Sequence, residues 1–382
     1  MPEDTADYRR LFLDDVPMMD VRAPVEFVRG AFPTAVNLPL MIDPERERVG
    51  IRYKAAGQDA AVKLGHELVS GELKATRVAA WAGFARQHPD GVLYCFRGGM
   101  RSAISQQWLR EAGVDYPRVI GGYKAMRQFL LEALARIPGN LSPHILGGRT
   151  GSGKTRVLAR VRPGIDLEAL ANHRGSGFGR RATPQPVQID FENALAVALL
   201  KHEAAGHERL LLEDESRNIG SRSIPEELQR AMKAAPLVVL EVPFEERVTV
   251  ILEDYVIGAL DEFAGLYAPA EAHARFGEHL AASLDRIRRR LGGERHARLR
   301  AIMDGALTAQ REQGDASGHR LWIAELLRDY YDPMYDYQLS RNRERMAFQG
   351  EYPVVLDYLA RQGFAVDAGR VSAAFVELVV RP

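Results

Sequence analysis

Residues Gly148-Arg149-Thr150-Gly151-Ser152-Gly153-Lys154-Thr155 read G-x-x-x-x-G-K-T in full, and nothing else in the chain restricts its fold as tightly. Such a loop works only where a strand feeds it and a helix leaves it. Here His144-Ile145-Leu146 is apolar enough for the strand, and the stretch from Arg156 to Val161 reads as the helix. The glycines let main-chain N–H groups face a diphosphate, Lys154 adds a point charge, and Thr155 can offer a hydroxyl to Mg²⁺. A bound phosphate chain follows from the motif, and ATP is one candidate for it. Leu210-Leu211-Leu212 and Leu237-Val238-Val239-Leu240 supply further strands, as an α/β layer requires.

The chain is 382 residues long, enough for two or three domains that each bury a core. Short apolar runs alternate with helical patterns before the glycine loop as well. Pro17–Val21, Ala35–Leu38, Gly91–Tyr94 and Val119-Ile120 read as strands, with helices over Ser102–Ala112 and from Tyr123 onward. The turn-rich stretch Ile137–Pro143 marks a boundary. From about Phe244 the texture turns to charged, alanine-rich helices without clear strands. The expected division is 1–137, a linker at 138–143, a phosphate-loop domain at 144–243 and a helical C-terminal region at 244–382. With 51 Lys+Arg against 51 Asp+Glu, a uniformly basic nucleic-acid coat is excluded, while a local basic patch is not. No leader and no apolar stretch near 18 residues is seen, so a soluble cytoplasmic protein without a membrane partner is expected. The single Cys excludes an intrachain disulfide framework and a cysteine-cage zinc site, and no second His or Cys gives metal spacing.

That one cysteine, Cys95, stands at a strand end before Phe96-Arg97-Gly98-Gly99-Met100-Arg101-Ser102 and a helix. Glycines let the loop curl so that several N–H groups converge, and the helix end and Arg97 and Arg101 add positive charge. Such a nest favours a thiolate and holds an oxyanion against it. A buried structural Cys is the alternative. Cys, five residues, Arg and Ser is the phosphate-binding pattern of cysteine phosphatases, and the same topology with a shorter loop is a rhodanese. Upstream, Asp20-Val21-Arg22 and Gly30-Ala31-Phe32-Pro33-Thr34-Ala35-Val36-Asn37-Leu38-Pro39 resemble the rhodanese signatures, with Asp20 and Arg22 in structural roles. Ala31 stands where many rhodaneses have His, and the loop is longer than usual. An ordinary thiosulfate sulfurtransferase is therefore not expected.

Three further stretches carry chemistry or a bland alternative to it. Glu213-Asp214-Glu215 ends an apolar run, where it could hold Mg²⁺ through water or form a solvated acidic turn. The glycine-rich loop at 172–179 places His173 and Arg174 where Arg–phosphate recognition, or a base at His173, is conceivable, although a flexible surface loop would look similar. Seven arginines lie between Arg286 and Arg300, and Arg341, Arg343 and Arg345 follow an aromatic run from Tyr330 to Tyr337. RNA contact and a solvated basic helix face are both open there.

The combination resembles the bacterial tRNA 2-selenouridine synthase family. The likeness rests on Tyr94–Ser102, Val119–Arg127, His173-Arg174-Gly175-Ser176, the glycine loop at 147–155, Gln188–Asn193 and Glu213–Gly220. It implies a rhodanese-like α/β domain joined to a P-loop NTPase-like α/β domain with a helical C-terminal region. It also implies two reactions on the wobble 2-thiouridine of certain tRNAs. Geranyl diphosphate alkylates the thiocarbonyl sulfur, and selenium from selenophosphate then replaces the S-geranyl group. In that light Gly148 to Thr155 would hold the diphosphate, and Cys95 would be nucleophile or selenium carrier. Arg97, Gly98, Gly99 and Arg101 would seat selenophosphate. No tightly bound cofactor is implied beyond these co-substrates, with Mg²⁺ an option. The other readings are an ATP-dependent sulfurtransferase, a kinase fused to a Cys phosphatase, and a nucleotide-regulated RNA-binding protein with a silent rhodanese domain.

Overall fold

The computed structural model describes residues 3–367. They form two compact units, each a mixed α/β structure with a parallel sheet. The first contains the residues up to Ile137 together with Val187–Gly206, and the second contains Pro138–Pro186 together with the residues from His207 onward.

In the first unit, β1 (Met18–Asp20) lies between β2 (Ala35–Asn37) and β3 (Val92–Tyr94), all parallel. Met18, Met19, Leu93 and Tyr94 are fully buried, which explains why the central strands read as continuous apolar runs. The expected strand at Val119-Ile120 is reduced to bridges, Leu93 with Arg118 and Thr5 with Val119. Helix α1 (Met100–Glu111) follows β3 after the cysteine loop, and α2 (Gly122–Arg136) follows the Gly121-Gly122 turn. Trp81 and Trp108 stack beneath, with centroids 6.2 Å apart, and Trp81 donates to the Leu38 carbonyl at 2.9 Å. Arg22 forks onto Asp20 with both side chains buried, donates to the Gly30 carbonyl at 2.7 Å, and lies 3.9 Å from the Tyr123 ring centre. One charge pair thereby fixes β1, the loop after it and α2.

The helix Gln188–Ala204 departs from the sequence-based division, because it packs in the first unit although it follows the phosphate loop in the chain. Asn193 donates to the Ala31 carbonyl at 2.6 Å, Asp190 accepts from the Ala31 N–H at 2.6 Å, and Arg127 of α2 donates to Asn193 at 2.8 Å. A helix with Phe191, Leu195 and Leu199 fully buried can serve either core, so pattern alone could not assign it.

In the second unit the sheet order is β7-β6-β4-β5, all parallel. Its strands are β4 (Ser142–Gly147), β5 (Arg209–Glu213), β6 (Leu237–Leu240) and β7 (Met346–Gly350). Helix α3 (Lys154–Arg160) leaves the loop after β4. The presence of β7 corrects the expectation of a strandless C-terminal region. Its residues alternate between half-buried and exposed, so Met-Ala-Phe-Gln-Gly shows no apolar run. The short strand Ala365-Val366 likewise pairs with Val161-Arg162. Between β6 and β7 the chain is helical, including α4 (Phe244–Ile251) and α5 (His319–Leu326). Each of these runs directly into a π-helical turn, Leu252–Ile257 and Leu327–Tyr331 respectively. These helices enclose a second core around Phe276, Leu284, Leu299 and Trp322. The end of the expected helical region, 368–382, lies outside the described residues. No helix among the described residues is long and apolar enough to cross a membrane.

Candidate functional site: a buried thiol and a phosphate loop

Cys95 stands immediately after β3 and is buried. Its thiol lies 3.2 Å from the Ser102 hydroxyl, which donates to the Gly99 carbonyl at 3.0 Å. Two turns of backbone hold the loop from below. Tyr123 N–H donates to the Cys95 carbonyl and Lys124 N–H to the Phe96 carbonyl, both at 2.9 Å. A Cβ on Gly122 would come within 2.3 Å of the Cys95 carbonyl oxygen and 2.5 Å of the Gly98 nitrogen, and its φ of +57° is left-handed. Only glycine fits there. Among the described residues the N–H groups of Phe96, Arg97, Gly98 and Gly99 donate to no backbone carbonyl.

The two arginines are not equivalent. Arg97 is exposed, with its guanidinium 5.9 Å from the Phe96 ring centre. Arg101, expected to face the oxyanion, instead grips Glu26 with two hydrogen bonds of 2.5 and 3.0 Å. Burial pushes the Glu26 carboxyl up, but the bonds and charge of Arg101 outweigh it and hold it below the ordinary range. Glu26 stands 75 residues earlier in the chain, and no local pattern marks it as the partner.

In the second unit the loop from Gly148 to Gly153 wraps in front of α3. Lys154 reaches back to the Gly148 carbonyl at 3.2 Å, and Thr155 donates to Glu213 Oε1 at 3.0 Å. The N–H groups of Thr150, Gly151 and Gly153 donate to no backbone carbonyl among the described residues. Ser152 Oγ and Glu213 Oε2 are buried without a hydrogen-bond partner there. Glu213 is therefore no solvated turn. Burial first, then the charges of Glu168 and Asp166, push its carboxyl up to about 8, against the opposing pull of Lys154 and the Thr155 hydroxyl. Glu168 and Glu215 share a hydrogen bond beside it, and burial raises both. Asp214 is raised by burial while Lys154 and Arg345 pull it down.

The His173–Ser176 loop serves this cluster. A Cβ on Gly175 would fall 2.0 Å from Glu168 Oε1 and 2.8 Å from Glu215 Oε1, at a φ of +65°, so its bare Cα is what lets the carboxyls meet. His173 is buried, and its Nδ1 accepts from the Gly175 N–H at 3.1 Å. Burial, followed by Arg180, Arg286, Arg174 and Arg181, lowers its pKa to about 4. With that lone pair engaged and so little basicity, His173 orders the loop and is a poor general base. Arg174 is bound to Glu262 at 2.6 Å, which Arg181 shares at 2.9 Å.

Several residues of the site carry no signal in the sequence. Tyr335 accepts from the Gly148 N–H and Asp336 holds Arg149, so the aromatic run lies against the phosphate loop 187 residues away in sequence. Arg247, buried on α4, donates to the Thr150 carbonyl at 3.3 Å and pairs with Asp332 at 2.7 Å. Glu168 carried no motif at all. Of the arginines at 286–300, Arg295, Arg298 and Arg300 lie beside Asp329, Glu325 and Asp304, and Arg286 donates to the Gly177 carbonyl at 3.0 Å. Arg345 clamps the Met232 and Ala235 carbonyls at 2.7 and 3.0 Å.

A family model described as the tRNA 2-selenouridine synthase AAA domain matches residues 141–364, a range that takes in most of the phosphate-loop unit and also the helix Gln188–Ala204. Proteins named tRNA 2-selenouridine synthase align with nearly the whole chain. That of Bordetella petrii is 57% identical over 94% of this chain and 96% of its own length. Those of Pseudomonas syringae pv. syringae and Cupriavidus pinatubonensis are 56% and 55% identical, each over 94% of this chain and 98% of their own. The chain belongs to the tRNA 2-selenouridine synthase family. It is accordingly an enzyme, and both sites described above fall inside the shared length. Membership of the tRNA 2-selenouridine synthase family thus accounts for a thiol loop and a phosphate loop occurring in one chain.

Proposed function

We propose that this enzyme converts wobble 2-thiouridine in tRNA to 2-selenouridine in two steps, in the cytoplasm. The observation that carries the reading is a buried thiol at the start of a glycine loop, in a chain that also folds a phosphate loop and matches the named synthases over 94% of its length. In the first step the thiocarbonyl sulfur attacks C1 of geranyl diphosphate, the C1–O bond breaks, and diphosphate leaves with the electron pair. In this reading the amides of Thr150, Gly151 and Gly153, which bond no backbone carbonyl among the described residues, and the Lys154 ammonium stabilise the charge as it develops. In the second step the selenium of selenophosphate attacks C2 of the S-geranyl nucleoside, the C2–S bond breaks and geranyl thiol leaves with the electron pair, and water then cleaves the P–Se bond to release phosphate. Cys95 serves this step, with Gly98, Gly99 and Arg97 around the anion, while Arg101 positions the loop through Glu26.

Mg²⁺ suits this phosphate loop. Its protein ligands would be the Thr155 hydroxyl and Glu213, whose Oε2 is buried without a partner. No three His, Cys, Asp or Glu side chains converge as a metal set among the described residues, so phosphate oxygens would complete the shell. When bound, the ion would neutralise charge on the departing diphosphate. The reading is tested by nucleoside mass spectrometry of tRNA from cells lacking this protein and any second such enzyme. Loss of 2-selenouridine is expected, and normal levels would overturn it.

A further inference from the structure

In the first unit the helix Asp43–Leu68 is broken at Gly57, whose φ of +79° and ψ of −175° lie outside the helical range. It is therefore two arms rather than one rod. On the second arm Ala61, Val62, Gly65, His66 and Val69 recur at spacings of three and four, which places them on one face. That face, together with Val49 of the first arm and Ile104 and Trp108 of α1, lines an apolar cavity of about 190 Å³. The cavity stays open because the middle of the face is small. Even a Cβ on Gly65 would meet nothing closer than Val49 Cγ2 at 4.0 Å. Exposed Tyr53, Gln58, His66 and Met100 mark its open side. Arg101 is the one Lys, Arg, Asp or Glu among the lining residues, and Glu26 already holds its guanidinium with two hydrogen bonds.

The cavity borders the cysteine loop. Met100 and Arg101, which line it, open α1, and the next residue is Ser102, whose hydroxyl lies 3.2 Å from the thiol. Cys95 itself packs in the core cluster that contains Leu40, Met41 and Trp108. A ligand reacting at that loop would therefore find an apolar recess next to it. A nucleobase needs partners for its polar edge, which walls of Val, Ala, Ile and Trp do not offer, whereas a hydrocarbon needs none. An apolar cavity of about 150 Å³ is enough for the six carbons of benzene, so about 190 Å³ takes roughly seven or eight carbons at the same density. A ten-carbon chain would thus keep its first few carbons, and the atom that carries them, at the mouth beside the loop.

We infer that this cavity binds the alkyl group on the sulfur of the S-geranyl nucleoside during the second step, and receives the geranyl thiol that leaves. The inference rests on the two-step reading above and adds to it the residues that recognise the intermediate. It also gives the cysteine loop a means of telling the alkylated nucleoside from plain 2-thiouridine. Each buried carbon is worth roughly fourfold in affinity, and a bare thiocarbonyl has no chain to bury. Selenation then follows alkylation because only the alkylated nucleoside is held at the loop.

The test uses the full chain, selenophosphate and tRNA whose wobble 2-thiouridine already carries an S-methyl, S-dimethylallyl or S-geranyl group, and measures kcat/KM for 2-selenouridine formation. The S-geranyl tRNA should exceed the S-methyl tRNA at least a hundredfold, with the five-carbon group between them. Val62→Trp and Ala61→Phe, which fill the cavity from the second arm, should each lower the geranyl-to-methyl ratio at least tenfold. An unchanged ratio in folded variants, or equal values for S-methyl and S-geranyl tRNA with the unaltered protein, would overturn the cavity alone. The unaltered protein gives a second readout through an S-geranyl tRNA with a diazirine at the far end of the chain. Labelled peptides from 58–69 or 100–108 are expected, and labelling confined to other peptides would overturn the assignment. An unaltered protein that selenates thiolated tRNA but none of the three S-alkyl tRNAs would sink the two-step reading and the cavity with it.

Discussion

Replacing Glu213 by Gln removes one titrating group from the phosphate-loop cluster while keeping the shape that Thr155 bonds. The carboxyl is fully buried, ionises near 4.5 in an unfolded chain and near 8 in the folded one. Because its folded pKa is raised, the native state holds a proton that the unfolded state has released between those values. The stabilisation is complete below 4.5 and is lost as pH climbs through 8. At roughly 1.4 kcal/mol per pH unit, the ligand-free protein should lose on the order of 5 kcal/mol from this group between pH 4.5 and 8. The Gln variant should be spared most of that loss. Hydrogen-exchange mass spectrometry on the amides of β5, corrected for intrinsic rates, reads the free energy of opening at the site itself. Equal falls between pH 5 and pH 8.5 in the two proteins would refute the reasoning, because Glu213 would then ionise alike in both states.

Other consequences are equally specific. Gly122→Ala forces a Cβ to 2.3 Å from the Cys95 carbonyl, with backbone on both sides, and should destabilise the first unit by roughly 2–4 kcal/mol. A lower melting temperature and a changed rate of Cys95 alkylation would register it, and an unchanged protein would contradict the packing. Lys154→Ala should cut geranyl transfer by roughly a hundredfold or more while leaving tRNA binding intact, as expected for a group that meets departing charge. Cys95→Ala should leave S-geranyl-2-thiouridine to accumulate, and selenation at the normal rate would remove the thiol from the mechanism.

The strands of both sheets were legible where their residues are buried on both faces, because Met18-Met19, Leu93, Leu146, Leu211 and Val238 leave apolar runs in the sequence. The strand β7 was not, since its residues alternate between half-buried and exposed. The two loops were legible because close backbone approach demands glycine at particular positions, as at Gly122 and Gly175. Partners far away in the chain were hidden. Glu26 for Arg101, Asp332 for Arg247 and Tyr335 for Gly148 are ordinary residues locally, and only the folded chain brings them together. The same holds for the helix Gln188–Ala204, whose Asp190 and Asn193 declare its allegiance through Ala31. The arginine loops illustrate the limit of charge patterning, since Arg101 and Arg174 are tied to Glu26 and Glu262 and are not free to meet an anion.

The most direct measurement is one incubation of thiolated tRNA with the purified enzyme and geranyl diphosphate, with and without selenophosphate, read by nucleoside mass. S-geranyl-2-thiouridine without selenophosphate and 2-selenouridine with it are expected. Selenation that proceeds without geranyl diphosphate, or no geranylated nucleoside in either tube, would contradict the two-step mechanism.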